Sequence, residues 1–145
     1  MKRWTTLTIL LSTLALSACN SATPSATTGR TAKMAPVSQL SPAAQKAPTR
    51  VREAYQFAVA NPDVTQHIPC YCGCGAMGHT SNYSCYVSAV GPTGAISYDN
   101  HALGCSLCVE ITQDAMRLSK EGKPASAIKA YVDATYSKYG TSNMP

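Results

Sequence analysis

No apolar run in this 145-residue chain is long enough to cross a bilayer: Thr5 to Leu16 falls short of the roughly 20 residues a spanning helix needs. There is no glycine-rich phosphate loop, no Ser/His/Asp arrangement and no βαβ pattern, so the sequence gives no signal for nucleotide chemistry or triad hydrolysis. Large aromatics are sparse in the centre of the chain, which limits the core a small domain can build. Charge is sparse too, at 13% Asp, Glu, Lys and Arg. The basic excess lies before Arg50; from there on, seven basic residues face seven acidic ones. A near-neutral domain without a basic stripe excludes a nucleic-acid partner of the usual kind.

What the chain has is sulfur. Pro69-Cys70-Tyr71-Cys72-Gly73-Cys74-Gly75 places three thiols in five residues. Cys-x-Cys is a poor disulfide, because in an extended segment Cα atoms two apart sit about 6.5–7 Å from each other. Alternate side chains also share a face, so the three sulfurs converge as donors to a soft metal ion would. Gly73 and Gly75 allow the backbone to curl around such an ion.

The N-terminus reads as a secretory signal over residues 1–18: Lys2 and Arg3, the short apolar run, then small residues. Leu16-Ser17-Ala18-Cys19 looks like a bacterial lipobox, which implies that Cys19 carries lipid and anchors the protein to a bacterial membrane on its extracytoplasmic side. Residues 19–48, with prolines at 24, 36, 42 and 48 and no apolar period, are expected to be a disordered tether.

The domain is expected over 49–145, mainly α, with about three helices and a long irregular Cys-rich insertion. Thr49 is a candidate N-cap for a helix over 50–60, which Asn61-Pro62 ends. Tyr86–Val90 and Ala95–Tyr98 flank a Gly-Pro-Thr-Gly turn as a minor hairpin. Asp99 or Asn100 caps a helix that runs to Glu121, with Leu103, Leu107, Ile111, Ala115 and Leu118 as its core stripe and Gly122 at its left-handed stop. A third helix starts near Pro124 and presents Ile128, Tyr131, Val132, Thr135, Tyr136 and Tyr139. No internal repeat is present.

If the middle helix is continuous, His101, Cys105 and Cys108 share an arc of about 60° beside the apolar stripe. With Cys70, Cys72, Cys74, Cys85 and His79 they make the candidate metal ligands. Met116 reads as core, and His67 as a surface residue. The residues Pro69–Cys74, Gly78-His79, Cys85 and His101-Ala-x-x-Cys105-x-x-Cys108 resemble the bacterial PCYCGC-motif lipoprotein family. The similarity runs from about Tyr55 to Tyr139. It implies a lipid-anchored extracytoplasmic domain and the grouping of these Cys and His residues; the family has no settled activity.

Three chemistries compete. The first is metal binding, with Cu(I) ahead of Zn: six thiols exceed what one tetrahedral ion can use, and a polynuclear thiolate cluster would use them all. Its function would be capture, storage or handover of copper, with a metal donor or acceptor protein as partner and no enzyme activity. The second is a disulfide scaffold, for which six Cys allow fifteen connectivities. The third is a thiol–disulfide oxidoreductase using Cys105-Ser106-Leu107-Cys108. A Cys105 in the second turn of a helix gains little from the positive helix end, which counts against the third.

Overall fold

The structure, a computed structural model, describes residues 32–145. The expected signal peptide, lipobox and Cys19 lie outside the described residues. Among the described residues lie six α-helices and one hairpin: α1 (Pro42–Lys46), α2 (Thr49–Ala60), α3 (Pro62–Thr65), β1 (Val87–Val90), β2 (Ile96–Tyr98), α4 (His101–Gly104), α5 (Ser106–Lys120) and α6 (Ala125–Tyr136). Short 3-10 turns at Cys74–Met77 and Tyr83–Cys85 interrupt the insertion. The protein is mainly α, as the sequence implies. No described helix is long and apolar enough to cross a membrane.

Helix α5 is the spine, packed against α2 on one side and α6 on the other. Its Ile111, Ala115 and Leu118 meet Tyr55, Phe57 and Ala58 of α2 and Ile128, Val132 and Tyr136 of α6 in one apolar cluster. Leu103 and Leu107 are only partly buried and pack on its edge. Met116 is core, at 6% exposure. Full burial of a side chain such as Ile111 or Phe57 stabilises by about 1.5–3 kcal/mol. Tyr55 and Tyr86 meet edge to face at 4.9 Å, and the Tyr55 hydroxyl donates to the Asp99 carbonyl at 2.7 Å.

Two helix stops follow the sequence signals, and the expected cap at Thr49 does not. Gly122 has φ +78°, and the Gly122 and Lys123 amides donate to Ser119 and Leu118 carbonyls, the paired closure of a glycine-stopped helix. Asn61 ends α2, its side-chain amide donating to the Phe57 carbonyl at 2.8 Å. Thr49, expected as N-cap, is instead the first helical residue; Pro48 occupies the cap position without a side-chain bond.

The tract before residue 49 differs from expectation. Residues 32–48, read as part of the tether, carry α1 and lie on the domain. Ser41 caps α1 by accepting the Ala44 amide at 3.2 Å, with Pro42 at its start. Leu40 and Ala44 are buried in the core cluster, the Ala35 amide donates to the Gln56 carbonyl, and Gln56 and Asn61 side chains reach back to the Ala35 and Lys33 carbonyls. The apolar residues here are small and irregularly spaced, so packing rather than periodicity orders them.

The hairpin pairs antiparallel, with an irregularity between Val87 and Ala89. It brings Tyr86 and Asp99 together, the Asp99 amide donating to the Tyr86 carbonyl at 2.9 Å. Cys85 and His101, sixteen residues apart in sequence, therefore enter the same region from its two open ends.

Candidate metal centre

The motif loop has no regular element at Cys70, then turns at Gly73, whose φ of +82° a side chain would strain, into the 3-10 turn at Cys74–Met77. Two polar anchors hold it. The Cys70 amide donates to Asn143 Oδ1 at 2.7 Å, and the Asn143 amide donates to the Cys70 carbonyl at 3.1 Å. Asn143 Nδ2 also faces the Cys74 sulfur at 3.4 Å and donates to the Ser81 carbonyl at 3.1 Å. Tyr71, the motif residue between two thiols, donates its hydroxyl to Asp133 of α6 at 2.7 Å.

A buried polar network fixes the opposite wall. Thr112 donates to Asn82 Oδ1 at 2.7 Å and meets the Tyr86 hydroxyl at 2.6 Å. Asn82 and Tyr86 both reach the Cys108 carbonyl. That network ties the first turn of α5 to the segment that carries Cys85.

The expected continuous helix over 100–121 is broken. Helix α4 ends at Gly104, Cys105 is extended (φ −113°, ψ 98°), and α5 begins at Ser106. Glycine's low helix propensity at position 104 permits the break. The single-helix arc is thus not what gathers these ligands. His101 comes from α4, whose start Asp99 holds by accepting the His101 amide at 2.7 Å. Cys105 sits at the joint and Cys108 in the first turn of α5.

The eight candidate ligands nevertheless converge. Cys70 Sγ lies 3.2 Å from Cys108 Sγ and 3.4 Å from Cys72 Sγ. Cys108 also meets Cys72 and Cys85, each at 3.5 Å. Cys74 and Cys85 are 3.7 Å apart, and Cys72 Sγ is 3.4 Å from His101 Nε2. All six cysteines among the described residues are free thiols. In a tetrahedral site with metal–sulfur bonds of about 2.3 Å the sulfur–sulfur edge is about 3.8 Å, so a small outward movement would open these contacts to an ion.

Four groups have ligand atoms all within 4.8 Å of one another: Cys72, His101, Cys105 and Cys108; Cys74, His79, Cys85 and His101; Cys70, Cys72 and Cys74; and Cys70, Cys85 and Cys108. Each is close enough to hold a metal ion. Cys70, Cys74, Cys85, Cys108 and His79 are buried, while Cys72, His101 and Cys105 are half-buried. Beside Cys105 a cavity of about 350 Å³ is lined by Arg50, Val51, Leu103, Val109 and Glu110. His67 is exposed and joins none of the groups among the described residues.

The thiols do not share charge evenly. Contact with Cys108, and then with Cys85, pushes the Cys70 thiol far below its ordinary range. The contact with Cys70 drives Cys108 the other way. Burial, and then the Cys70 charge, pushes Cys72 and Cys74 up. A soft cation binding here displaces protons from the thiols that bind it.

Sequence reasoning missed the residues around the ligands. Asn143, Asn82, Thr112 and Tyr86 position the thiol-bearing segments; Asp99, expected only as a cap, also faces His79 Nε2 at 3.4 Å. The one sequence signal was Asp99 two residues before His101.

A family model described as "Protein of unknown function with PCYCGC motif" matches residues 8–144. No curated protein and no solved structure matches the chain.

Proposed function

Since the chain belongs to this PCYCGC-motif family, whose description leaves function open, we propose from the geometry that it is an extracytoplasmic metal-binding protein whose thiolate and imidazole centre takes Cu(I). The observation that carries this reading is the chain of contacts at 3.2–3.7 Å among five free thiols, Cys70, Cys72, Cys74, Cys85 and Cys108, with Cys105 and two imidazoles within 4.8 Å at their edge. A disulfide scaffold would give each sulfur one partner; here Cys108 has three and Cys70 two. Soft sulfur donors in excess of one tetrahedral shell favour Cu(I). The role that follows is capture, storage or handover of copper to a partner protein, from a lipid anchor at Cys19, without catalysis.

Anaerobic Cu(I) titration against a competing chelator tests the centre. The expected result is tight loading with loss of titratable thiols. Protein from its own envelope that carries no metal and shows no free thiol would overturn the reading in favour of disulfides. Fatty-acid labelling that disappears in Cys19→Ser tests the anchor.

Two observations keep other readings in play. Cys72, His101, Cys105 and Cys108 form a Cys3His set, the composition of a closed zinc site; zinc retained against stoichiometric Cu(I) would favour it. The break at Cys105 also moves Cys105-x-x-Cys108 to the N-terminal end of α5, the place where a redox pair of this spacing sits. This removes the objection to a redox pair that a continuous helix raised. A Cys108→Ala form that traps mixed disulfides would favour that chemistry.

A further inference from the structure

We propose that the centre holds two metal ions in two distinct ligand sets: an outer one at Cys72, His101, Cys105 and Cys108, and an inner one at Cys70, Cys74, Cys85 and His79, the latter oriented by Asp99. This rests on the metal-binding reading above and deepens it.

The donors form two four-ligand sets that abut, inner Cys70 lying 3.2 Å from outer Cys108. Cys105 belongs only to the first four-ligand group and His79 only to the second; the two groups share His101 alone. His101 is claimed by the outer set, because its Nε2 lies 3.4 Å from Cys72 Sγ. The inner set then needs a further donor, and Cys70 supplies it: it lies within 4.8 Å of both Cys74 and Cys85 in the three-thiol groups. Eight donors make two shells of four.

An independent observation comes from His79, whose exposure is 9%. Its Nδ1 is buried and has no hydrogen-bond partner, an arrangement that costs about 1–3 kcal/mol when nothing binds there. Its Nε2 faces the Asp99 carboxylate at 3.4 Å. A carboxylate on Nε2 holds the proton on that nitrogen and leaves the Nδ1 lone pair free, which is how histidine ligands are oriented toward metals. The His79 and His101 rings stand edge to face at 5.2 Å, so each set takes one imidazole. Asp99 serves both, since its Oδ1 accepts the His101 amide. It touches neither ion and acts as a positioning residue. Each thiol that binds gives up its proton to solvent as its sulfur–metal bond forms, with no change of oxidation state.

Cu(I) is the probe, added anaerobically to the reduced full-length protein and followed by sulfur-to-copper charge-transfer absorption, with copper and thiols counted on the same sample. Wild type should load two ions per chain. His79→Gln and, from a different element, Cys74→Ser should each load one, with unchanged circular dichroism and with Cys105 still protected from alkylation by the bound ion. Asp99→Asn keeps an acceptor for the His101 amide and should weaken one of the two steps by about 10–100-fold. A wild-type count other than two, or two ions retained in both His79→Gln and Cys74→Ser, overturns the two-set arrangement while leaving copper binding intact. Absence of tight loading in wild type overturns the metal reading itself.

Discussion

Asn143 Oδ1 accepts the Cys70 amide at 2.7 Å, and the Asn143 amide answers by donating to the Cys70 carbonyl at 3.1 Å. A residue near the C-terminus thereby closes the backbone of the first motif cysteine, 73 positions away. The same side chain spends its amide on the Ser81 carbonyl and the Cys74 sulfur. Removing it leaves the buried Cys70 N–H without an acceptor.

Asn143→Ala should therefore destabilise the metal-free domain by about 1–3 kcal/mol, measured by urea unfolding under reducing conditions. Deleting residues 141–145 should cost at least as much. A change below about 0.3 kcal/mol in both would show that the loop holds its shape without this clamp.

Tyr71→Phe removes one hydrogen bond, that to Asp133, and should cost about 0.5–1.5 kcal/mol. Burial, and then the Asp133 carboxylate, pushes the Tyr71 hydroxyl up to about 12. The fold thus prefers the protonated phenol. Its contribution is fully present below the unfolded value near 10 and is lost as pH rises toward 12. Wild type should lose its advantage over Tyr71→Phe across that alkaline window, and an advantage constant with pH would refute the assignment.

Two glycine substitutions separate space from backbone conformation. A Cβ on Gly140 would lie 2.7 Å from the Tyr71 carbonyl oxygen, so Gly140→Ala must displace the motif loop and should cost about 1–3 kcal/mol. Gly73 has open space around it but a φ of +82°, so Gly73→Ala should cost about 1–2 kcal/mol from conformation alone. Gly73→Asn, which tolerates that region better, should recover part of the loss.

Thr112→Val keeps the volume and deletes the hydroxyl between Tyr86 and Asn82. With the Asn82 oxygen left unpaired and fully buried, the expected cost is about 1–3 kcal/mol. Chemical denaturation checks it; a neutral result would show that the network relaxes around the methyl group.

Metal should raise the melting temperature. At free Cu(I) 100-fold above the dissociation constant the stabilisation is about 2.7 kcal/mol, reversed by a stronger chelator. His67→Ala, at an exposed residue outside the groups, should bind and melt as wild type does.

The helices with strong local signals were legible. Proline and glycine stops at Pro62 and Gly122 and the apolar spacing of α2, α5 and α6 all act within a few residues. That these Cys and His residues gather within metal-binding distance was legible, because alternate thiols in an extended segment share a face. What sequence spacing misread was the route: Cys105 reaches the centre through a helix break that only Gly104 hints at. Segment 32–48 was misread because Ala32, Ala35, Leu40 and Ala44 are buried by tertiary contact, without a period to reveal it. Asn143 and Thr112 carry no local mark at all. Each is an ordinary polar residue until the chain brings its partner from 73 or 30 positions away.

One burial pattern has a kinetic meaning. Cys72, His101 and Cys105 meet solvent, while Cys70, Cys74, Cys85 and His79 do not. Under the two-ion reading the positions would then behave as a queue with a front and a back. An acceptor would exchange sulfur with the front ion first, and the ion behind would stay until that place was vacated. Isotopically labelled copper would wash out in two separated phases, the earlier one governed by Cys105.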